Sequence, residues 1–224
     1  MNNALLLIVH TATICSLTIF ALRFGKELMC GWLALLAVAM NLFVLKQITL
    51  FGLKVTSSDA LAVGYLLGLN LIQEFFGQKE ARRCVWISFF ISISFTLLSQ
   101  IHLAYTPNGD DQTHHHFHQL FSPMPRLVLA SLTTFVLVQV ADIAFFEFLR
   151  QKLQGRALPL RTTCSLLLSQ SFDTLFFSFL GLYGLVASIG DVILWSLVVK
   201  ASIIACTAPF VALVKKFMRH DVQV

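Results

Sequence analysis

The chain has 224 residues, 57% of them apolar and only 12% charged, with a mean hydropathy of +0.80 and a formal net charge of +5. Soluble domains carry about a quarter charged residues, so this composition excludes a soluble globular protein and leaves no length for a soluble domain beside one membrane domain. The basic residues sit in short stretches between apolar runs, which excludes a nucleic-acid-binding face.

A membrane helix needs about 20 apolar residues. Runs of that kind cover 4–22, 28–45, 59–76, 84–104, 126–149, 163–187 and 190–214. They predict an all-α, polytopic integral membrane protein, a single domain over 1–224 with about seven transmembrane helices. The second and third runs are short, and the linker between them (46–58, with Phe51 and Gly52) is itself apolar. This linker reads as a re-entrant hairpin, a form tolerated where protein covers it. Six helices, with one of these segments not spanning, is the alternative. In the third run Gly64-x-x-x-Gly68 predicts close helix packing.

The one long loop, 105–125, holds His114, His115, His116 and His118 beside Asp110 and Asp111. Imidazole and carboxylate both ligate metals, yet adjacent histidines on a flexible loop read better as a solvated or pH-responsive segment. No metal site and no cofactor are predicted. The five cysteines (15, 30, 84, 164 and 206) form no C-x-x-C pair and read as small packing residues without a disulfide framework.

Lysine and arginine set the orientation. With seven spans, one side collects twelve basic residues: Arg23, Lys26, Lys79, Arg82, Arg83, Arg150, Lys152, Arg156, Arg161, Lys215, Lys216 and Arg219. The other side has three, Lys46, Lys54 and Arg126, while Lys200 falls inside the last span. The amino terminus is therefore expected outside and the carboxy terminus in the cytoplasm. No basic residue precedes the first apolar run, so a cleaved leader is not expected.

Two eleven-residue segments share the pattern Q-x-x-D-x-x-F-F-x-F-L. One runs from Gln139 through Asp142 to Leu149, the other from Gln170 through Asp173, Phe176 and Phe177 to Leu180. Gln and Asp are one turn apart and share a helix face. An ionised residue at the centre of a membrane helix costs roughly 2.5–3.5 kcal/mol, so two buried aspartates point to a polar site. The segments run in opposite directions through the bilayer, which is compatible with inverted elements meeting near the midplane.

The other intramembrane polar residues are Asn41, Asn70, Gln73, Glu74 and Lys200. Each also has a plain structural reading. Asn and Gln join helices, Lys200 can pair with Asp173 or Asp142, and Glu74 can be interfacial. The chemistry of the set still suggests a ligand. Carboxylates accept hydrogen bonds and attract cations, glutamines donate and accept, and Phe rings stack. Such a site suits a planar, donor-rich heterocycle.

These residues give the chain a resemblance to a known family, the queuosine precursor transporters, also called the vitamin uptake transporter family. The resemblance runs from about Asn41 to Pro209. It rests on Asn41 with Lys46 and Phe51-Gly52, and on Gln73-Glu74-Phe75-Phe76-Gly77 followed by Ala81-Arg82. The two Q-x-x-D helices, Lys200 and Pro209 complete it. It implies a transporter of the bacterial inner membrane that imports queuine or its aminomethyl 7-deazaguanine precursor for tRNA modification. The implied substrate site holds Glu74, Gln139, Asp142, Gln170 and Asp173, with Asn41, Asn70, Gln73, Phe176, Phe177 and Lys200 as further candidates. The family usually has an acidic residue where this chain has Asn70, which favours queuine over the more simply cationic precursor.

Three matters stay open at this level. No G-x-x-x-x-G-K-[ST] occurs, so the carrier is proton-coupled, facilitative, or a substrate-binding subunit energised by a separate ATPase. Monomer and homodimer are both compatible with the sequence. An intramembrane aspartyl protease would need Asp142 and Asp173 to share a proton, but its G-x-G-D signature is absent.

Overall fold

The computed structural model describes residues 2–50, 53–154, 156–183 and 189–218, with backbone alone for 53–55, 139–140, 182, 191–192, 212–213 and 215–218. Among the described residues the chain forms eight α-helices and one β-hairpin. Helix α1 (Asn3–Arg23) begins where the Asn2 side chain accepts a hydrogen bond from the Ala4 amide, an N-cap that satisfies one free donor. Gly25, at φ 109°, breaks it, and α2 (Lys26–Phe43) runs back.

The linker after α2 is an antiparallel hairpin of β1 (Gln47–Leu50) and β2 (Leu53–Thr56), with Gln47 opposite Thr56 and Leu50 opposite Leu53. Ile48, Thr49, Val55 and Thr56 are β-branched and favour extended backbone. The hairpin is tied to α1 by Asn3, whose side-chain amide donates to the Thr49 carbonyl at 2.9 Å. Phe51 and Gly52 lie outside the described residues.

Helix α3 (Asp59–Phe76) is the centre of the molecule, with fourteen of its eighteen residues buried. Gly64 and Gly68 let its neighbours approach: Ile14 of α1 lies against Gly64, and a β-carbon at Gly68 would stand 2.6 Å from Leu33 Cδ2 of α2. The predicted close packing is present. Gly77, at φ 90°, turns the chain into α4 (Gln78–Ala104). The short, exposed α5 (His114–Phe121) carries the histidines of the long loop. Then come α6 (Met124–Lys152), α7 (Leu158–Phe177) prolonged by a π-helical turn at Ser178–Leu182, and α8 (Ile189–Met218).

Ion pairs fix which helix ends lie together. Lys26 meets Glu80 at 3.6 Å, and Arg150 and Arg161 both meet Glu74. The ends that carry most of the basic residues therefore share one side, called here the basic end. At the opposite end Arg126 of α6 donates to the Tyr183 carbonyl at 2.9 Å.

Among the described residues five stretches are, by length and composition, long and apolar enough to cross a membrane: Asn3–Arg23, Lys26–Phe43, Gln78–Ala104, His114–Lys152 (which contains α5 and α6) and Ile193–Val211. Seven spans are expected from the sequence. The two long helices outside this set are α3 and α7, and the reason is chemical. They carry Asp59, Asn70, Gln73 and Glu74, and Arg161, Ser165, Ser169, Gln170 and Asp173. Large apolar side chains such as Phe90, Leu98 and Leu129 point outward, as the surface of a multi-pass membrane protein requires.

One expectation is corrected. Cys30 of α2 and Cys84 of α4 form a disulfide, with Cα atoms 5.1 Å apart. A separation of 54 residues conceals the pair in the sequence, and the packing of α2 on α4 creates it. Cys15, Cys164 and Cys206 are free thiols.

Candidate functional site: a polar column between α3, α6, α7 and α8

Polar side chains line the contacts of α3 with α6, α7 and α8 in three tiers. The tier at the end opposite the basic one is built on Asp59, Asp173 and Lys200. Asp59, the first residue of α3, is 5% exposed, and its Oδ1 accepts from Thr56 Oγ1 and Ser196 Oγ, each at 3.4 Å. Among the described residues its Oδ2 has no hydrogen-bond partner. Lys200 lies one turn beyond Ser196 on the same face of α8. The lysine Nζ donates to Asp173 Oδ2 at 2.9 Å and to Thr174 Oγ1 at 3.1 Å. Of the two partners open to Lys200, the structure selects Asp173.

The middle tier is built on Asp142, which is 1% exposed. Its Oδ1 accepts from Ser165 Oγ at 2.5 Å and from Ser169 Oγ, two hydroxyls one turn apart on α7. Among the described residues its Oδ2 has no partner. Nor, among them, has either amide atom of Asn70 or Gln170 Oε1, and both residues are buried. Gln73 Nε2 donates to the Ile143 carbonyl at 2.9 Å, which places this turn of α3 beside Asp142. Asn70 is one turn before Gln73, and Gln170 follows Ser169. At 1.5 Å rise per residue, all three side chains start within about one turn of the same depth.

The tier at the basic end is an ion-pair network. Arg161 is fully buried and donates from Nη2 to Glu74 Oε1 at 2.8 Å and from Nε to the Arg156 carbonyl at 3.0 Å. Its guanidinium lies over the Phe146 ring, 5.3 Å from the centroid. Arg150 approaches both Glu74, at 3.8 Å, and Glu147, at 3.5 Å. Glu147 is also 3.5 Å from Gln73 Nε2.

The candidates from the sequence divide accordingly. Asn70, Asp142 and Gln170 lie at similar depth on α3, α6 and α7, in the middle tier. Asp173 and Lys200 form the tier at one end, and Gln73 and Glu74 belong to the other. Asn41 stays apart: it donates to the Ala37 carbonyl of its own helix at 2.9 Å. Phe176 is 41% exposed and stacks with Phe172, centroids 6.4 Å apart, on the outer side of α7. Phe177 lies against Gly181 of the π-helical turn. The side chain of Gln139 lies outside the described residues. Asp142 is held by Ser165 and Ser169, and Asp173 by Lys200, rather than by each other as in a proton-sharing dyad.

Sequence reasoning passed over Asp59, Arg161, Ser165, Ser169 and Thr174. Asp59 has the guise of an ordinary acidic residue in a helix first turn. Arg161 counts among the loop charges until the fold buries it. Ser165 and Ser169 did carry a signal, being polar positions at i and i+4 on the face that also holds Thr162.

Paired carboxylates, hydroxyls and amides buried between helices are suited to holding a small polar solute in a membrane. The comparisons agree. Residues 61–214 match the family model described as "Putative vitamin uptake transporter". The chain is 28% identical over 207 residues to a "Probable queuosine precursor transporter" of Bacillus subtilis (strain 168), covering 91% of this chain and 90% of that one. No solved structure gives a significant match. The relatives are transporters rather than enzymes, and the chain belongs to the vitamin uptake transporter family.

Proposed function

We propose that this protein imports a queuosine precursor, a 7-deazaguanine base, and recognises it in the middle tier of the polar column. The observation that carries this reading is the set of buried, unpartnered polar atoms on three adjacent helices: Asp142 Oδ2, Gln170 Oε1 and both ends of the Asn70 amide. Left unpaired, such atoms cost roughly 1–3 kcal/mol each, so the site is made for a ligand with complementary groups. A guanine-like edge offers two adjacent N–H donors and one carbonyl acceptor. Asp142 and Gln170 accept from the donors, and the Asn70 amide donates to the carbonyl.

Ser165 and Ser169 hold the Asp142 carboxylate in position while leaving Oδ2 available. Asp173 lies about one turn beyond Gln170 and faces the substituent end of the base. Glu74 and Gln73, engaged with Arg161, Arg150 and Ile143, support the basic end, and we place them outside the recognition set. The basic end faces the cytoplasm of a bacterial inner membrane, as the distribution of Lys and Arg indicates.

The test is tRNA queuosine content in a bacterium that can neither make nor import the base, fed queuine or the precursor at low concentration. The wild-type chain restores the modification, while Asp142→Asn and Asp173→Asn, at equal membrane expression, do not. No restoration by wild type with either base contradicts the proposal.

A further inference from the structure

We infer that Asp59, with the hydroxyls of Thr56 and Ser196, forms a binding site for a co-transported monovalent cation, H⁺ or Na⁺, separate from the site for the base and linked to it through Lys200 and Asp173. The inference rests on the transport reading above and adds how transport is energised.

The first argument is charge. Among the described residues the charged groups acting on Asp59 are Lys200, from α8, and Asp173, from α7. Thr56 of β2 and Ser196 of α8 face it with neutral hydroxyls. The buried Asp59 and the partly exposed Asp173 thus share one ammonium, and the ammonium is committed: Lys200 Nζ sits 2.9 Å from Asp173 and 3.1 Å from Thr174. Among the described residues the negative charge of Asp59 is left without a counterion inside an apolar helix bundle, at a cost of several kcal/mol.

The second argument is the ligand set. Asp59 Oδ2 is unpartnered in a residue more than nine-tenths buried. Around this carboxylate stand the hydroxyls of Thr56 and Ser196, with Ser58 Oγ 3.1 Å from Thr56 Oγ1. Hard oxygen donors with one formal charge suit a proton or Na⁺ and offer nothing to a soft metal.

Asp59 opens α3 eleven residues before Asn70, about 16 Å along the axis, so a cation on Asp59 does not overlap the base in the middle tier. They are linked through α8 and α7. Ser196 and Lys200 are one turn apart, and Asp173 is one turn past Ser169, which holds Asp142. A cation on Asp59 neutralises the carboxylate that competes for Lys200 and so strengthens the Lys200–Asp173 pair. Its loss weakens that pair and changes the charge facing the base. Two ligands that bias one shared element in this way are thermodynamically coupled.

The test uses the purified full chain in proteoliposomes and tritiated queuine. Exchange of internal for external base needs no net cation movement, whereas accumulation does. For wild type, an inward tenfold gradient of H⁺ or of Na⁺ should drive accumulation of up to about tenfold for one cation per base, since a tenfold gradient balances a tenfold concentration ratio. The gradient that works identifies the ion. Asp59→Asn should keep exchange within about twofold and lose accumulation, and Asp59→Glu should recover it. Wild-type exchange without a response to either gradient overturns the cation site and leaves the transport reading intact. Accumulation that persists in Asp59→Asn, or loss of exchange along with it at equal protein content, also overturns the inference. Absence of exchange in wild type overturns the transport reading itself.

Discussion

Arg161, fully buried at the start of α7, donates to Glu74 at the end of α3 across 2.8 Å, and so ties the central helix to the helix that carries Ser165, Ser169 and Gln170. The pair sits below the recognition tier and keeps α3 and α7 in register. A buried ion pair is a poor source of net stability but an expensive one to break on one side. Glu74→Ala strips the buried guanidinium of that carboxylate and should lower stability by roughly 3–5 kcal/mol. Thermal unfolding in detergent measures it. A midpoint unchanged from wild type would show that Arg161 does not depend on Glu74.

A methyl at Gly68 should crowd its neighbours. Its β-carbon position is 2.6 Å from Leu33 Cδ2 and 3.0 Å from Met29 Cε, the free ends of two flexible side chains, so Gly68→Ala makes both turn aside. The cost should lie at the low end of overpacking, about 1 kcal/mol. The variant should unfold at lower temperature than wild type, while Gly109→Ala, with open space at that position, should not.

The two serines on Asp142 should matter to affinity rather than to folding. Ser169→Ala removes one of two donors to Oδ1, and hydrogen bonds to a charged group are worth about 1.5–3 kcal/mol. The KM for the base should rise roughly tenfold or more, with membrane expression unchanged. An unaltered KM would take Ser169 out of the account.

Asn70→Asp tests recognition of the carbonyl of the base. It replaces an amide donor with a carboxylate that can only accept, so the KM for queuine should rise roughly tenfold or more. An unaltered KM would remove Asn70 from recognition.

How much of this was legible in the sequence differs by level. Asp142, Asp173, Gln170 and Lys200 stand out because each is polar in an apolar run, and that contrast survives without coordinates. The Lys200–Asp173 pair was one of two alternatives, since helix periodicity places a residue on a face but not opposite a given partner. Arg161 and Asp59 were hidden by position: both stand at helix starts, where charge is ordinary, and only the packing of neighbouring helices buries them. Asn41 and Phe176 were singled out by the same reasoning and lie elsewhere, one bonded to its own helix and one on the outer face of α7. The hairpin at 47–56 follows from β-branched residues that an apolar-run reading merges into a single linker.

Binding of tritiated queuine to the purified protein in detergent, wild type against Asp142→Asn, tests the central claim most directly. The account predicts saturable binding by wild type and a loss of at least tenfold in affinity in the variant, with unfolding temperature within a few degrees of wild type. Equal affinity in a well-folded Asp142→Asn protein would contradict recognition of the base at the middle tier.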